Sequence, residues 1–244
     1  MRDALGSVQS VALFGGTSEI GLDIVRALQA DRARTVVLAA RDTARAAAAL
    51  PGATDVVELD LARTDGHAAA VERVFARPEG IDVAIVAAGL LGRQGDEQLA
   101  DAAALHAVNG TGTVSILALC AEAMRRQGRG TLVLLSSVAA DRPRVSNFAY
   151  GSSKAASDAF ARGLRDSLEG SGVQVLIVRP GFVRTKMTEG IDAAPGAVDP
   201  PAVTAAVLDG LRGRGGIVYV PGFLRWVMLA IKLLPRAVFR RLPL

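Results

Sequence analysis

The sequence predicts an α/β chain with a single domain built on a doubly wound, seven-stranded parallel sheet. Three observations predict it. Short apolar runs alternate along the chain with segments of helical length, the pattern that builds parallel sheets through right-handed crossovers. The first run passes at once into a glycine-rich turn that opens a helix. At 244 residues, 50% of them hydrophobic, the chain can bury one large core, and no second domain is expected.

Residues 8–15 form the first predicted strand, and Gly15-Gly16-Thr17-Ser18-Glu19-Ile20-Gly21 follows it. Leu22, Ile24, Val25 and Leu28 then mark the buried face of a helix. A strand, a glycine-rich turn and a helix start suit a dinucleotide, because backbone N–H groups at the helix start receive a pyrophosphate. A plain strand-to-helix turn is the other reading of this motif. Thr35–Ala40 is the second strand. An acidic side chain at its end suits the ribose hydroxyls of NAD, whereas an arginine suits the 2′-phosphate of NADP. Arg41 comes first here and Asp42 second, which favours NADPH, with a solvated surface arginine as the competing reading.

Residues 44–49 are helix filler, and 56–59, 81–86 and 131–135 are the third to fifth strands. Residues 173–178 form the sixth strand, 201–211 a short helix and Gly216–Val220 the seventh strand. Between them, 182–199 contains Gly190, Pro195 and Gly196 with little periodicity, which predicts a lid or binding loop.

Composition excludes several classes. Cys120 is the only cysteine, so an intrachain disulfide or a cysteine metal cluster is ruled out, and its apolar helical setting predicts a buried filler. His67 and His106 lack a partner at metal-ligand spacing, so no metal is expected. Residues 1–9 lack the apolar core of a signal peptide, which predicts a cytoplasmic protein. The net charge of +4 is concentrated at one end: Arg225, Lys232, Arg236, Arg240 and Arg241 leave the remainder at −1. A nucleic-acid-binding stripe is therefore not expected.

The strand at 131–135 ends in Ser136-Ser137, and Tyr150-Gly151-Ser152-Ser153-Lys154 begins thirteen residues after Ser137. Tyr and Lys four apart share one helix face. An ammonium beside a phenol favours the phenolate and lowers its pKa from about 10, making Tyr150 a usable general acid. Tyr-x-x-x-Lys alone is common on ordinary helix surfaces. The strand ending in a hydroxyl gives it weight.

From end to end these motifs resemble the short-chain dehydrogenase/reductase family, whose members have a Rossmann fold. The resemblance implies that Ser137 orients a substrate carbonyl, Tyr150 protonates its oxygen, and Lys154 binds the nicotinamide ribose while tuning Tyr150. Its spacing selects Ser137 over Ser136. Asn109, in Ala-Val-Asn-Gly-Thr-Gly, would bond backbone and hold a water linking Lys154 to solvent. Gly15 and Gly21 match the outer glycines of Gly-x-x-x-Gly-x-Gly, with Thr17, Ser18 and Ile20 between them, but Glu19 stands where the middle glycine is usual. Asp60 and Leu61 would lie near the adenine. Ala87-Ala88-Gly89 departs from the usual Asn-Asn-Ala-Gly. In Arg179-Pro180-Gly181-Phe182-Val183-Arg184-Thr185, Pro180, Gly181 and Val183 would line the cofactor and Thr185 would hold its carboxamide. Family members usually pair through the helices bearing Asn109 and Tyr150, so a homo-oligomer is implied.

The C-terminal segment 223–244 is predicted as a basic amphipathic extension. Arg225, Lys232, Arg236 and Arg240 fall on one helical face, Trp226, Val227, Leu229, Leu233, Leu234, Val238 and Phe239 fill the rest, and Pro235 should kink it. It is too short and charged to span a bilayer, and docking on anionic lipid competes with packing on its own domain or a partner subunit. Together with Asp82-Val-Ala-Ile-Val-Ala-Ala-Gly-Leu-Leu-Gly92, Val178 to Met187 and the Pro-Arg-x-x-Phe-Arg-x-Leu-Pro tail, the motifs are similar to those of reductases acting on decaprenylphosphoryl-2-keto-erythro-pentose. That similarity implies a lipid-linked pentose substrate, NADH as cofactor, a peripheral membrane location, a flavin oxidase partner and a place in cell-wall arabinan synthesis. A soluble reductase of a 3-oxoacyl thioester or steroid-like ketone, and a non-catalytic scaffold for the oxidase, are the alternatives.

Overall fold

The computed structural model describes residues 7–213 and 215–239; Arg240 and Arg241 of the basic tail lie outside them. The strands are β1 (Ser10–Phe14), β2 (Thr35–Ala40), β3 (Asp55–Glu58), β4 (Val83–Val86), β5 (Gly130–Leu135), β6 (Val173–Pro180) and β7 (Gly216–Val220). All pair in parallel, in the order β3-β2-β1-β4-β5-β6-β7. The Rossmann fold is therefore the observed one.

Parallel strands joined by helical crossovers are covered on both faces, which is why they read as unbroken apolar runs. Successive residues of each strand enter opposite cores. Ala12, Phe14, Val37, Ala39, Leu132 and Leu134 face α3 (His67–Phe75), α5 (Thr113–Gln127) and α6 (Phe148–Ser167). Val11, Leu13, Val36, Leu38, Val133 and Leu135 face α1 (Glu19–Asp31), α2 (Thr43–Ala49) and α7 (Pro200–Arg212). The helix α3 was not expected from the sequence; its apolar face is only Ala70, Val71 and Val74, too short to stand out by periodicity.

Cys120 is wholly buried in the first core, as expected, and burial pushes its thiol pKa up. The helical run Gly95–Gln127 is long and apolar enough by composition to cross a membrane. Its Ile116, Leu117 and Met124 are spent on the sheet.

Short α4 (Ala102–Leu105) leads into a π-helical turn, His106–Gly112, before α5. Such turns re-aim side chains and often mark functional sites. This one is pressed onto the loop after β3, so that a Cβ at Gly112 would lie 2.0 Å from the Leu61 carbonyl oxygen.

The extension is present as α8 (Leu224–Leu233) and α9 (Arg236–Phe239). They break at Leu234, which takes the extended backbone favoured before a proline. Leu224 fills the space over Gly181, and Met228 is buried. Trp226, Val227, Leu229 and Leu233 stay exposed. Lys232 is drawn onto Asp141. It is thus not one of a free basic row, as the spacing alone had implied.

Gly112→Ala should cost about 1–3 kcal/mol, because the added methyl meets backbone that must move. A lowered urea midpoint with an unchanged m-value would record it.

Candidate active site

The chain leaves β1 toward β2 on one side and returns from β3 to β4 on the other, so connections diverge between the carboxyl ends of β1 and β4. Ligands of open α/β sheets bind in that crevice. The two loops meet closely there. Ala87 N and Ala88 N donate to Phe14 O at 2.8 and 3.1 Å, and a Cβ at Gly15 would lie 2.5 Å from Ala88 N. Gly15 also has φ +102°, so only glycine serves. Gly21 lets α1 pack on β1, where a Cβ would meet Leu13 Cδ1 at 2.6 Å.

Ser18 caps α1 by accepting from Gly21 N at 3.2 Å. By helix geometry the amides of Glu19 and Ile20, with Thr17 beside them, have no intrahelical acceptor and remain for an anion. Glu19 does not close this cradle. Its Oε1 accepts from Lys186 N at 2.9 Å, tying α1 to the 182–199 loop. That loop carries Val183, buried and bridged to Val198, and Thr185, whose N–H donates to Thr188 Oγ1 at 3.1 Å. Pro180 ends β6, and Gly181 N donates to Val220 O.

At the end of β2, Asp42 accepts from Arg45 N at 2.9 Å and caps α2, while Arg41 is exposed. Asp60 Oδ1 accepts from Ala62 N, and its carbonyl accepts from His67 Nε2. Ser115 engages the other ring nitrogen of His67, and Ser152 engages His106. Leu61 is buried beside Asp60.

Ser137, Tyr150, Lys154 and Asn109 converge beside this crevice. Asn109 Oδ1 accepts from Leu90 N, and its Nδ2 donates to Leu90 O and to Ser153 Oγ, at 2.8, 2.8 and 3.0 Å. Ser153 Oγ–H donates in turn to Tyr150 O. Lys154 Nζ donates to Leu135 O at 2.8 Å. A Cβ at Gly89 would lie 3.3 Å from Asn109 Oδ1 and 3.5 Å from Lys154 Nζ, so that glycine keeps the space between them.

The two serines separate by partner. Ser136 Oγ–H donates to Asp158 at 2.6 Å, whereas Ser137 hydrogen-bonds Tyr150.

The electrostatics correct one expectation. Burial pushes the Tyr150 phenol above its ordinary value, and only the Ser137 hydrogen bond opposes it; the Lys154 ammonium does not lower it. Burial also pushes Lys154 down to about 8, with Asp158 holding it up against that. The phenol therefore stays protonated across neutral pH, the form a proton donor needs.

Beneath the site lies a buried ionic cluster that sequence reasoning missed. Arg179 is bidentate to Asp158 at 2.9 and 2.6 Å, reaches Asp141 at 2.9 Å and donates to Tyr219 Oη at 2.6 Å. Burial alone would raise the Asp158 carboxyl, but hydrogen bonds from Arg179 and Ser136 outweigh it and hold it low. The available signals were a charge, Arg179, directly after the apolar run 173–178, and an acid, Asp158, one helical turn after Lys154.

A family profile described as short chain dehydrogenase matches residues 9–196. The chain belongs to the short-chain dehydrogenase family. An uncharacterized oxidoreductase of Mycobacterium tuberculosis is 43% identical over 96% of both chains. Among solved structures, a short-chain dehydrogenase from Burkholderia cenocepacia in complex with NADP superposes with TM-score 0.79 at 24% identity, covering 94% of this chain and 99% of that one. One from Sphingobium yanoikuyae in complex with NADPH gives 0.77 at 25% identity, covering 93% and 97%.

This family member is an NAD(P)-dependent oxidoreductase. The residues present fit a nicotinamide dinucleotide: the Gly15 cradle, the free amides of α1 and the exposed Arg41 line one crevice edge. When bound, the cofactor supplies or accepts hydride. The chain itself can donate a proton from Tyr150 and a hydrogen bond from Ser137 to one oxygen.

Ser137→Ala should lower kcat/KM about 100-fold with little change in melting temperature. Ser136→Ala should instead cost about 1–3 kcal/mol of stability, read by denaturation, because Asp158 loses a donor. Ketone reduction consumes a proton and uses a charged Lys154. With the Lys154 value lowered to about 8, reductive kcat/KM should be flat near neutrality and fall as pH rises through that value. Lys154→Arg, which stays charged, should move that limb upward or remove it.

Proposed function

We propose that this oxidoreductase reduces the 2-keto group of decaprenylphosphoryl-2-keto-erythro-pentose to the arabinose configuration, with NADPH as donor. The observation that carries the substrate assignment is α8. Its exposed Trp226, Val227, Leu229 and Leu233 stand on a helix clamped to the loop between Ser137 and Tyr150, so an apolar surface adjoins the catalytic groups. Arg225 and Arg236 add positive charge, and the set suits the interface of an anionic membrane, where a polyprenyl phosphate resides.

In this reading Ser137 Oγ–H binds the ketone oxygen, and Tyr150 Oη–H gives up its proton as that oxygen becomes an alkoxide. Lys154 stabilises the phenolate that remains, and Asn109 holds the water that restores the proton. Positioning and preorganised hydrogen bonds supply most of the rate. Asp42 is occupied in capping α2 and leaves Arg41 to meet a 2′-phosphate, which favours NADPH over NADH. The ketone comes from an oxidase acting on the ribose epimer, and the reduced product serves arabinan assembly. Pairing of two copies through α5 and α6 belongs to the same proposal.

Purified protein mixed with oxidase-generated keto-lipid in detergent should oxidise NADPH at least about tenfold more efficiently than NADH, and Arg41→Gln should erode that ratio. Turnover of a 3-oxoacyl thioester with none of the keto-lipid would refute the assignment.

A further inference from the structure

Arg144 lies on the loop that runs from Ser137 to Tyr150, and the proposed chemistry does not use it. It is half-buried, yet its guanidinium makes no hydrogen bond, ion pair or ring contact among the described residues; only its backbone carbonyl is engaged, accepting from Asn147 N. Neighbouring arginines withdrawn from water are satisfied: Arg142 donates to the carbonyls of Ile231 and Leu234, and Arg179 is held by Asp158 and Asp141. Withdrawing a guanidinium from water without an acceptor is costly, and burial lowers its pKa. A partner that brings an anion would recover that cost.

The loop is held from both sides. Arg142 clamps the end of α8 and stacks on Phe239 at 3.9 Å. Gln98, itself buried, donates to Val145 O at 3.0 Å and accepts from Ala149 N at 2.9 Å. Pro143 sits against the first turn of α6, where a Cβ at Gly151 would lie 3.1 Å from Pro143 Cα. The loop that carries the cation is thus fixed beside the turn that carries Tyr150.

Exposed apolar side chains lie on the elements tied to this loop. Leu99, Val145 and Phe148 are exposed on the side joined by Gln98, and Leu233 and Val238 are exposed on the side joined by Arg142. Exposed apolar groups gathered into one patch mark a ligand or interaction surface. A cation on a loop tied to elements that carry exposed apolar side chains matches an anion attached to a hydrocarbon chain.

We propose that Arg144 is an anion-binding residue beside the Tyr150 turn, its guanidinium receiving the phosphate of an isoprenoid phosphate while Leu99, Val145, Phe148 and Leu233 take the first isoprenyl units. The planar fork of arginine pairs two donors with two phosphate oxygens, which also fixes the direction in which a linked sugar enters. This rests on the lipid-linked substrate proposed above and adds the residue that selects its charge.

Calorimetry on the full chain loaded with NADPH tests it, with farnesyl phosphate, farnesol and inorganic phosphate as probes. Wild type should bind farnesyl phosphate at least about tenfold more tightly than either other probe. Arg144→Gln should abolish that margin, Arg144→Lys should recover part of it, and Arg126→Gln, at an exposed α5 arginine paired with Glu122, should keep it. Equal binding of farnesyl phosphate by wild type and Arg144→Gln would overturn the proposal, and so would a wild type that does not distinguish the three probes. Keto-lipid turnover on the same samples separates the two ideas. Arg144-dependent binding without turnover keeps the subsite and removes the substrate assignment; turnover with Arg144-independent binding does the reverse.

Discussion

The buried pairing of Arg179 with Asp158 is the interaction on which the site depends. It joins β6 to α6 one helical turn from Lys154, and through Ser136, Asp141, Tyr219 and Lys232 it reaches the end of β5, the loop before α6, β7 and α8. Buried ions give little net stability against apolar replacements, but losing one partner strands the other at a cost of about 3–5 kcal/mol. The cluster therefore acts as a specification of geometry. All of its charges are satisfied only when these elements arrive together.

A second constraint is steric. The loops after β1 and β4 approach so closely at Gly15 and Ala88 that no side chain fits between them, and the π-helical turn rests on Leu61 through Gly112 in the same way. Backbone in contact with backbone leaves little freedom to the groups it carries. Asn109 then reads the position of Leu90 through two hydrogen bonds and passes it to α6 through Ser153. Ser137, Tyr150 and Asn109 are thus registered to the crevice by this backbone packing and by the hydrogen bonds that join them.

Burial sets the protonation states of the catalytic pair, and it sets them in opposite directions. Withdrawal from water opposes the charged form of each, so it raises a phenol and lowers an ammonium. Tyr150 thus keeps a proton to give, beside a lysine lowered to about 8. The tail completes the picture, because Arg142 and Asp141 fasten α8 to the same loop that spaces Ser137 from Tyr150.

Strand identity, the glycine turn, the Tyr150–Lys154 face and the buried Cys120 were legible in the sequence, because each follows from local spacing: apolar runs, chain reversal at glycine, and four-residue helical neighbours. Tertiary structure alone decided the rest. The motif spacing points to Ser137, but what occupies Ser136 is seen only in the fold, where Asp158, 22 positions along the chain, accepts from its hydroxyl. Glu19 is harmless at a glycine position because Lys186, 167 residues away, offers it an amide. Lys232 leaves its predicted basic row because Asp141 is near, and the Tyr150 pKa rises because desolvation is a property of everything packed around a group. A sequence records which residues are neighbours along the chain; electrostatics and burial answer to neighbours in space.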